Sequence, residues 1–208
     1  IGYDGTYASG IAPVPNTNNH KILHNTIFRT GRSGIDLMHT RNVEIGYNDI
    51  YDYGLITNDG GGIYSARQSD LTGTRVHHNW IHDSKALRGG QGGEKGIYYD
   101  QGSGPVLTDH NVLWGNEEDY YNHHDPLDQV DPPKVFETYN NTFGSMEYAS
   151  YVTYQVPATD IAANNIYRDA ILASDNAVYA IRQNEDPKFL NLDTDHGGLK
   201  YRLTEGSP

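Results

Sequence analysis

The sequence has no cysteine and few basic residues, and these two absences narrow the possible functions. Without cysteine, the chain has no disulfide framework and no thiol chemistry, and cysteine usage leaves its compartment open. Its 15 Lys and Arg residues stand against 27 Asp and Glu residues, for a formal net charge of −12. This acidic balance argues against nucleic acid, an anionic membrane or a strongly polyanionic substrate as a partner. A neutral ligand fits the composition better.

Long apolar runs and helical patterns are also missing. No segment approaches the roughly 20 consecutive apolar residues of a membrane-spanning helix. Only 36% of the 208 residues are hydrophobic, which leaves a thin core for a compact sphere. The residues that follow Ile1 show no charged n-region or apolar h-region, so we expect a mature, internal or trimmed segment whose repeat pattern begins and ends in mid-unit. We therefore expect a segment of a longer chain, with further domains or partner chains capping its ends.

What the sequence does contain is an internal repeat of two signals. The first is the dipeptide Gly-Ile, which begins at Gly10, Gly34, Gly62 and Gly96. The second is an Asn between apolar residues, found 13 to 16 residues after each Ile, at Asn25, Asn48, Asn79 and Asn111. Weaker copies of the second signal lie around Asn141 and Asn164. A repeat of 20 to 50 residues is typical of solenoids and propellers.

The repeat predicts a right-handed parallel β-helix of about six coils, forming a single domain over residues 1–208. Short alternating stretches such as Val43-Glu44-Ile45 have the period of strands and not of helices. Asn suits a fixed corner of each coil, because it tolerates left-handed backbone and its amide can hydrogen-bond to the next coil's Asn. The handedness follows from the pattern of such folds and not from the spacings. A β-sandwich is the alternative, but it would not keep both signals in phase.

Alignment of the coils places candidate functional residues side by side. Ile35, Ile63 and Ile97 should point inward, with Asp36, Tyr64 and Tyr98 outward beside one another. Two residues further along each strand come Met38, Ala66 and Asp100. Asp100 would then lie on the outer face beside small or apolar neighbours, where a carboxyl group can be desolvated. His123 or His124 would lie on its other side.

A second acidic row precedes these strands. Asp59 lies beside three glycines, which leave the approach open to a ligand, and Glu94 precedes the next Gly-Ile. Paired carboxyl groups across a groove are the parts that glycoside hydrolysis needs. Each of these residues also has a purely structural interpretation: Asp59 suits an Asn-Asp-Gly turn, Asp100 suits a turn before Gln-Gly-Ser, and Glu94 suits a solvated loop charge.

Several other polar and aromatic residues are candidates for sugar contacts. Tyr64 and Tyr98 can act as stacking platforms. With them we take as substrate-binding candidates Glu94, Arg67, His78, His123 and His124. His24, His78 and His110 each precede a repeated Asn, which favours a stacked corner over a metal-ligand set. No compact metal-binding motif is present, so we expect no metal or other cofactor, with Ca²⁺ reserved for the lyase alternative below.

The segments "TNDGGGIYSARQSDLTGTRVHHNWIHD" and "GIYYDQGSGPVLTDHNVLWGN" resemble the central coils of right-handed parallel β-helix carbohydrate-active enzymes. The closest likeness is to the glycoside hydrolase family that contains α-L-fucosidases and xylanases. It covers residues 7 to 125 well and the remainder loosely. The resemblance implies two catalytic aspartates, one in the glycine-rich loop and one after the next Gly-Ile-Tyr strand. These are Asp59 and Asp100, and the glycine loop must fold back for them to cooperate.

Three functions from different classes follow. The first is a glycoside hydrolase, extracellular or periplasmic, acting on a plant or algal polysaccharide or oligosaccharide with Asp59 and Asp100 as its carboxyl pair. The second is a polysaccharide lyase or uronate epimerase, which needs a basic group or Ca²⁺ to neutralise the substrate carboxylate. Its candidate basic residues are Arg32, Arg67, Arg75, Lys85, Arg88 and Lys95. The third is a solenoid that binds carbohydrate without catalysis, in which the acidic residues only shape turns.

Overall fold

The computed structural model describes residues 8–57, 59–85, 94–124, 135–150, 161–172 and 178–183. In β12, β14, β15 and β16 most of the description is limited to the backbone. All regular structure in the described residues is β-strand. The same residues contain no helix long and apolar enough to cross a membrane.

The structure contains sixteen named strands, most of them short. Their bounds are β1 (Lys21–Leu23), β2 (Thr26–Phe28), β3 (Ile35–Asp36), β4 (Glu44–Gly46), β5 (Asp49–Tyr51), β6 (Gly61–Ser65), β7 (Asp70–His77), β8 (Trp80–His82), β9 (Lys95–Tyr99), β10 (Gly104–Asp109), β11 (Val112–Trp114), β12 (Glu118–His124), β13 (Phe136–Tyr139), β14 (Thr142–Ser150), β15 (Ile161–Leu172) and β16 (Val178–Gln183).

The strands form three faces that run along the molecule. The first face is built from β1, β4, β7, β10 and β13, the second from β2, β5, β8 and β11, and the third from β3, β6, β9 and β12. β14 continues the second face and turns onto the third, while β15 pairs with both β13 and β14. Every pairing between the described strands is parallel. This confirms the predicted parallel β-helix and rules out the sandwich, whose strands would be antiparallel.

The core is a column of aliphatic and aromatic side chains enclosed by the three faces. On the third face, Ile35 pairs with Ile63 and Ile63 with Ile97, and all three side chains are fully buried. Each coil adds its own layer at the interstrand spacing of about 4.8 Å, so a thin core serves a long molecule. Burial of each such side chain stabilises the fold by about 1.5–3 kcal/mol.

The Gly that precedes each core Ile has a packing role. A Cβ atom at Gly62 would overlap Cγ2 of Ile81 and lie 2.9 Å from the Gly96 carbonyl oxygen. At Gly34 it would lie 2.5 Å from Cγ2 of Ile50 and 2.6 Å from the Gly62 carbonyl oxygen. Only glycine lets the third face pack this closely on the second, which explains why Gly-Ile recurs.

The repeated Asn residues form a continuous hydrogen-bonded ladder at one corner. Asn79 donates its side-chain NH₂ to Oδ1 of Asn111 at 2.9 Å, and its own Oδ1 accepts from the backbone and side chain of Asn48. The same pattern joins all six members, which are Asn25, Asn48, Asn79, Asn111, Asn141 and Asn165. The ladder confirms the predicted coil-to-coil contact and the count of about six coils. The last member is Asn165 and not Asn164, so that assignment was wrong by one residue.

The left-handed backbone at this corner belongs to a different residue from the one predicted. Positive φ angles occur at His24, Tyr47, His78, His110 and Asn140, each immediately before a ladder Asn. The preceding residue makes the sharp turn, which leaves the Asn amide aligned along the stack. The prediction that Asn itself occupies the left-handed region was therefore wrong.

Candidate functional site

A cavity of about 330 Å³ lies on the third face, where its strands end. Four of its lining side chains are charged. The lining residues are Arg32, Met38, Thr57, Asp59, Tyr64, Ala66, Arg67, Asp100 and Gln101. Asp59 and Asp100, the two predicted catalytic aspartates, therefore lie in one cavity.

The register of the third face brings the floor residues together. Asp36 pairs with Tyr64 and Tyr64 with Tyr98, as the aligned repeat predicts. Two residues further on, Met38, Ala66 and Asp100 occupy equivalent positions in successive coils and all line the cavity. Because Met38 and Ala66 carry no charge, Asp100 is the one acidic member of this row in the coils formed by β3, β6 and β9.

Asp100 is held by phenol groups. Its side chain is almost entirely buried, with 7% of the residue exposed, and the Tyr64 hydroxyl donates to Oδ2 at 3.4 Å. Tyr98 also hydrogen-bonds to Asp100. Burial and the nearby carboxylates raise the pKa of both tyrosines, so each phenol stays protonated and donates at neutral pH.

Asp59 is held by Arg32 from the preceding coil. The Arg32 Nε donates to the backbone oxygen of Asp59 at 2.7 Å, and Nη2 lies 3.3 Å from the carboxylate Oδ2. The Asp59 side chain is 69% exposed whereas that of Arg32 is 9% exposed. The guanidinium also stacks on the Tyr64 ring at 4.6 Å. Arg32 is therefore the residue that ties the glycine loop to the cavity floor.

Asp36 is a third carboxyl group beside this arrangement, and it was not among the predicted site residues. It is 5% exposed, and its Oδ2 accepts from the Ser9 hydroxyl at 3.4 Å and lies 3.8 Å from Nη1 of Arg32. Its Oδ1 has no hydrogen-bond partner among the described residues. Burial raises the pKa of Asp36, and this effect outweighs the positive charge of Arg32, which lowers the pKa. Its position beside Tyr64 in the aligned repeat was the signal that could have identified it.

Glu94 lacks the exposure expected of a loop charge. It is completely buried, so the interpretation as a solvated loop charge was wrong, and it is not among the residues that line the cavity. Neither carboxyl oxygen has a hydrogen-bond partner among the described residues. Burial raises the pKa of Glu94 to about 8, although Arg32 and Lys95 lower it. Sequence could not reveal this burial, because the covering residues come from another coil.

The remaining substrate-binding candidates are distributed over the molecule. Arg67 lines the cavity, and its backbone N–H donates to Oε1 of Gln101 at 3.2 Å. Tyr98 contacts the site through Asp100. His123 and His124 lie in β12, and the pairing of Asn122 with Tyr99 places residue 123 next to residue 100 in register. Their side chains lie outside the described part of the structure.

His78 lies in a separate aromatic column at the Asn corner, away from the cavity lining. His24 stacks on Tyr47 at 4.9 Å, Tyr47 on His78 at 4.9 Å, and His78 on His110 at 5.0 Å between ring centroids. This confirms the stacked-corner interpretation of the histidines. The column serves packing between coils.

One group of possible metal ligands adjoins this column. His78, Asp109 and His110 each offer an atom within 4.8 Å of the others. Both carboxylate oxygens of Asp109 already accept from Arg75, at 2.7 Å and 2.6 Å. The guanidinium therefore neutralises the carboxylate that a cation would need.

Comparisons with known proteins support the fold. A family model described as the right handed beta helix region matches residues 3–123, which is more than half of the chain. Neither the curated proteins nor the solved structures contain a significant match. The family is found among polysaccharide-active enzymes and binding proteins. With the parallel coils and the Asn ladder in place, the chain belongs to the right-handed β-helix family.

Proposed function

We propose that the protein is a glycoside hydrolase that cleaves a plant or algal polysaccharide or oligosaccharide. The observation that carries the proposal is that Asp59 and Asp100 line the same cavity on an open β-helix face. An extended face of stacked coils suits a polymeric substrate. The cavity volume of about 330 Å³ also falls in the range of small-ligand sites.

The two carboxyl groups lie in different environments. Asp100 is buried and oriented by two phenol donors, whereas Asp59 is largely exposed at the loop and bound to Arg32. Hydrolysis uses one carboxyl group to protonate the leaving oxygen and the other as nucleophile or base. Arg67 and Gln101, which also line the cavity, offer donors for sugar hydroxyl groups.

The resemblance of residues 57–83 and 96–116 to the glycoside hydrolase family that contains α-L-fucosidases and xylanases supports the same pair. Because a polysaccharide substrate lies outside the cytoplasm, we propose an extracellular or periplasmic location. No cofactor takes part in the proposed reaction.

A polysaccharide lyase or uronate epimerase is the second candidate, and a specific observation favours it. Arg32 and Arg67 both line the cavity, and cationic groups are needed to neutralise the carboxylate of a uronate. The formal charge of −12 makes an anionic polymer the less favourable substrate unless Ca²⁺ accompanies it.

The test measures reducing-sugar release and the ultraviolet absorbance of unsaturated products on a panel of plant and algal glycans. We expect reducing ends without ultraviolet absorbance, and a loss of at least about 100-fold in both Asp59→Asn and Asp100→Asn. Asp70→Asn, which changes an aspartate outside the cavity, is the matched control and should retain activity.

Two results would overturn the hydrolase proposal. Unsaturated products would assign the protein to the lyases. Saturable sugar binding without turnover on any glycan would instead assign it to the non-catalytic binding solenoids.

A further inference from the structure

The Glu94 side chain is buried against two glycines. The residue is completely buried, and neither of its carboxyl oxygens has a hydrogen-bond partner among the described residues. The two glycines leave room for it. A Cβ atom at Gly54 would overlap the Glu94 Cγ and lie 2.7 Å from Cδ, and one at Gly60 would lie 3.0 Å from Oε2. A buried carboxyl group without a hydrogen bond costs stability, so its presence here calls for an explanation.

Gly60 lies close to both Glu94 and Arg32. A Cβ atom at Gly60 would lie 3.2 Å from Cγ of Arg32 and 3.0 Å from Oε2 of Glu94. Alignment of the Gly-Ile dipeptides places Arg32, Gly60 and Glu94 at equivalent positions of three successive coils. The glycine in the middle coil therefore leaves no side chain between the guanidinium arm and the carboxyl group.

We propose that Glu94 is a positioning residue for Asp59 and acts through Arg32. While Glu94 carries its proton, the Arg32 guanidinium is bound to Asp59, as in the structure. When Glu94 loses the proton to solvent, its carboxylate competes for the same guanidinium and weakens the hold on Asp59. An effect of Glu94 on catalysis rests on the proposed function of Asp59. The competition of Glu94 and Asp59 for Arg32 does not depend on that function.

The charges around Glu94 make this exchange possible near neutral pH. Burial raises its pKa to about 8, Arg32 and Lys95 favour the ionised form, and Asp59 and Glu117 oppose it. Tyr53 faces it as a neutral phenol, because burial and the charges of Asp119 and Glu94 keep the pKa of Tyr53 well above its usual value. Arg32 forms ion pairs with both Asp59 and Asp36. Asp59, Asp36 and Glu94 therefore share Arg32 as their main neighbouring cation.

The first experiment follows the Arg32 Nε–H resonance by nitrogen-15 NMR in the intact protein, from about pH 6 to about pH 10. The resonance is assigned by its loss in Arg32→Lys. In wild type we expect the chemical shift of this resonance to change with a midpoint at about pH 8, where Glu94 loses its proton. The resonance should respond because Nε donates to the backbone oxygen of Asp59. Glu94→Gln should abolish the transition, whereas the control Glu117→Gln, which removes an exposed carboxyl group, should retain it.

Thermal unfolding shows whether Glu94→Gln folds and supplies a second readout. Folded Glu94 keeps its proton up to about pH 8, whereas the unfolded chain releases it near the ordinary value of 4.5. Between these values the folded state binds more protons, so wild-type stability falls as pH rises. The variant lacks this loss, and its Tm should exceed that of wild type increasingly from about pH 5 to about pH 8.

The proposal fails if the Arg32 resonance is unchanged across this range, or if it shifts equally in Glu94→Gln. Neither measurement needs a substrate, so this failure is distinct from the absence of hydrolysis. If hydrolysis is found, the basic limb of the kcat profile should move upward by at least about one pH unit in Glu94→Gln. If the basic limb of the kcat profile does not move in Glu94→Gln, Glu94 has only a structural role.

Discussion

The Asn corner and the cavity belong to the same coils, but equivalent positions hold the same residue at the corner and different residues at the cavity. At the corner each coil supplies the same residue, and each buried amide meets a partner in the next coil. At the cavity equivalent positions hold different residues, such as Met38, Ala66 and Asp100. Beside the cavity, Oδ1 of Asp36 and both carboxyl oxygens of Glu94 have no hydrogen-bond partner among the described residues. Repetition specifies the solenoid, while departures from repetition create a chemically distinct site.

The largest expected effect comes from interrupting the Asn ladder. Asn79→Ala would remove the Oδ1 acceptor for two N–H groups of Asn48 and the donor to the Ile45 carbonyl oxygen, all of them buried. Because unsatisfied buried groups cost about 1–3 kcal/mol each, we expect a loss of at least about 3 kcal/mol in the free energy of unfolding.

Urea denaturation measures this effect, and Asn25→Ala is the control. Asn25 is the first ladder member in the described residues and is only partly buried, so its replacement should cost about 1 kcal/mol. Equal losses in the two variants would show that the buried Asn79 amide stabilises the fold no more than the partly buried Asn25 amide does.

A smaller effect is expected from changing one phenol in the cavity. Tyr64→Phe would remove the hydroxyl that donates to Asp100 while keeping the ring on which Arg32 stacks. We expect kcat on the responsive glycan to fall about tenfold and the unfolding free energy to change by less than about 1 kcal/mol.

Tyr47→Phe serves as the matched change outside the cavity, because Tyr47 lies half exposed in the aromatic column. It should leave kcat unaltered. An equal loss of activity in both variants would mean that the Tyr64 hydroxyl has no specific part in catalysis.

The smallest expected effects concern His78 and His82, whose contributions to the stability of the fold should change with pH in opposite directions. Burial and the neighbouring His110 lower the pKa of His78, so its contribution to stability is lost as pH falls below the ordinary value of 6.5. Burial also opposes charge on His82, but hydrogen bonds to Asp49 and Asp83 outweigh it and raise the pKa of His82. Its contribution is present below 6.5 and lost as pH rises through the raised pKa.

Tm measured from about pH 5 to about pH 8 in His78→Ala and His82→Ala checks both signs. Relative to wild type, His78→Ala should reduce the loss of stability on acidification, and His82→Ala should reduce the loss on moving to alkaline pH. Parallel curves for the two variants would contradict the assigned environments.

Much of the fold was predictable because its signals recur in phase. The Gly-Ile dipeptides and repeated Asn residues indicated the coils, the parallel pairing and the ladder, all of which are observed. The same alignment placed Asp100 beside Ala66 and Met38. The left-handed corner was assigned to the wrong residue, because hydrogen bonding along the stack competes with the turn preference of Asn.

The candidate site was predictable only in part, because its members come from different coils through irregular loops. Asp59 and Asp100 were identified, but the binding of Asp59 by Arg32 was not. Nothing in local sequence shows that Gly54, forty residues earlier in the chain, covers Glu94. His78 entered the candidate set through its residue type, although its corner position already indicated a stack.

The repeat in the sequence is sufficient to predict the parallel β-helix, its approximate number of coils and the outward row that contains Tyr64, Tyr98 and Asp100, because a repeated pattern specifies a register. Which carboxyl groups are exposed, paired or buried is visible only in the folded coils. The physical reason is that the solvation and charge of a side chain depend on neighbours one coil away, which are 20 to 40 residues distant along the chain.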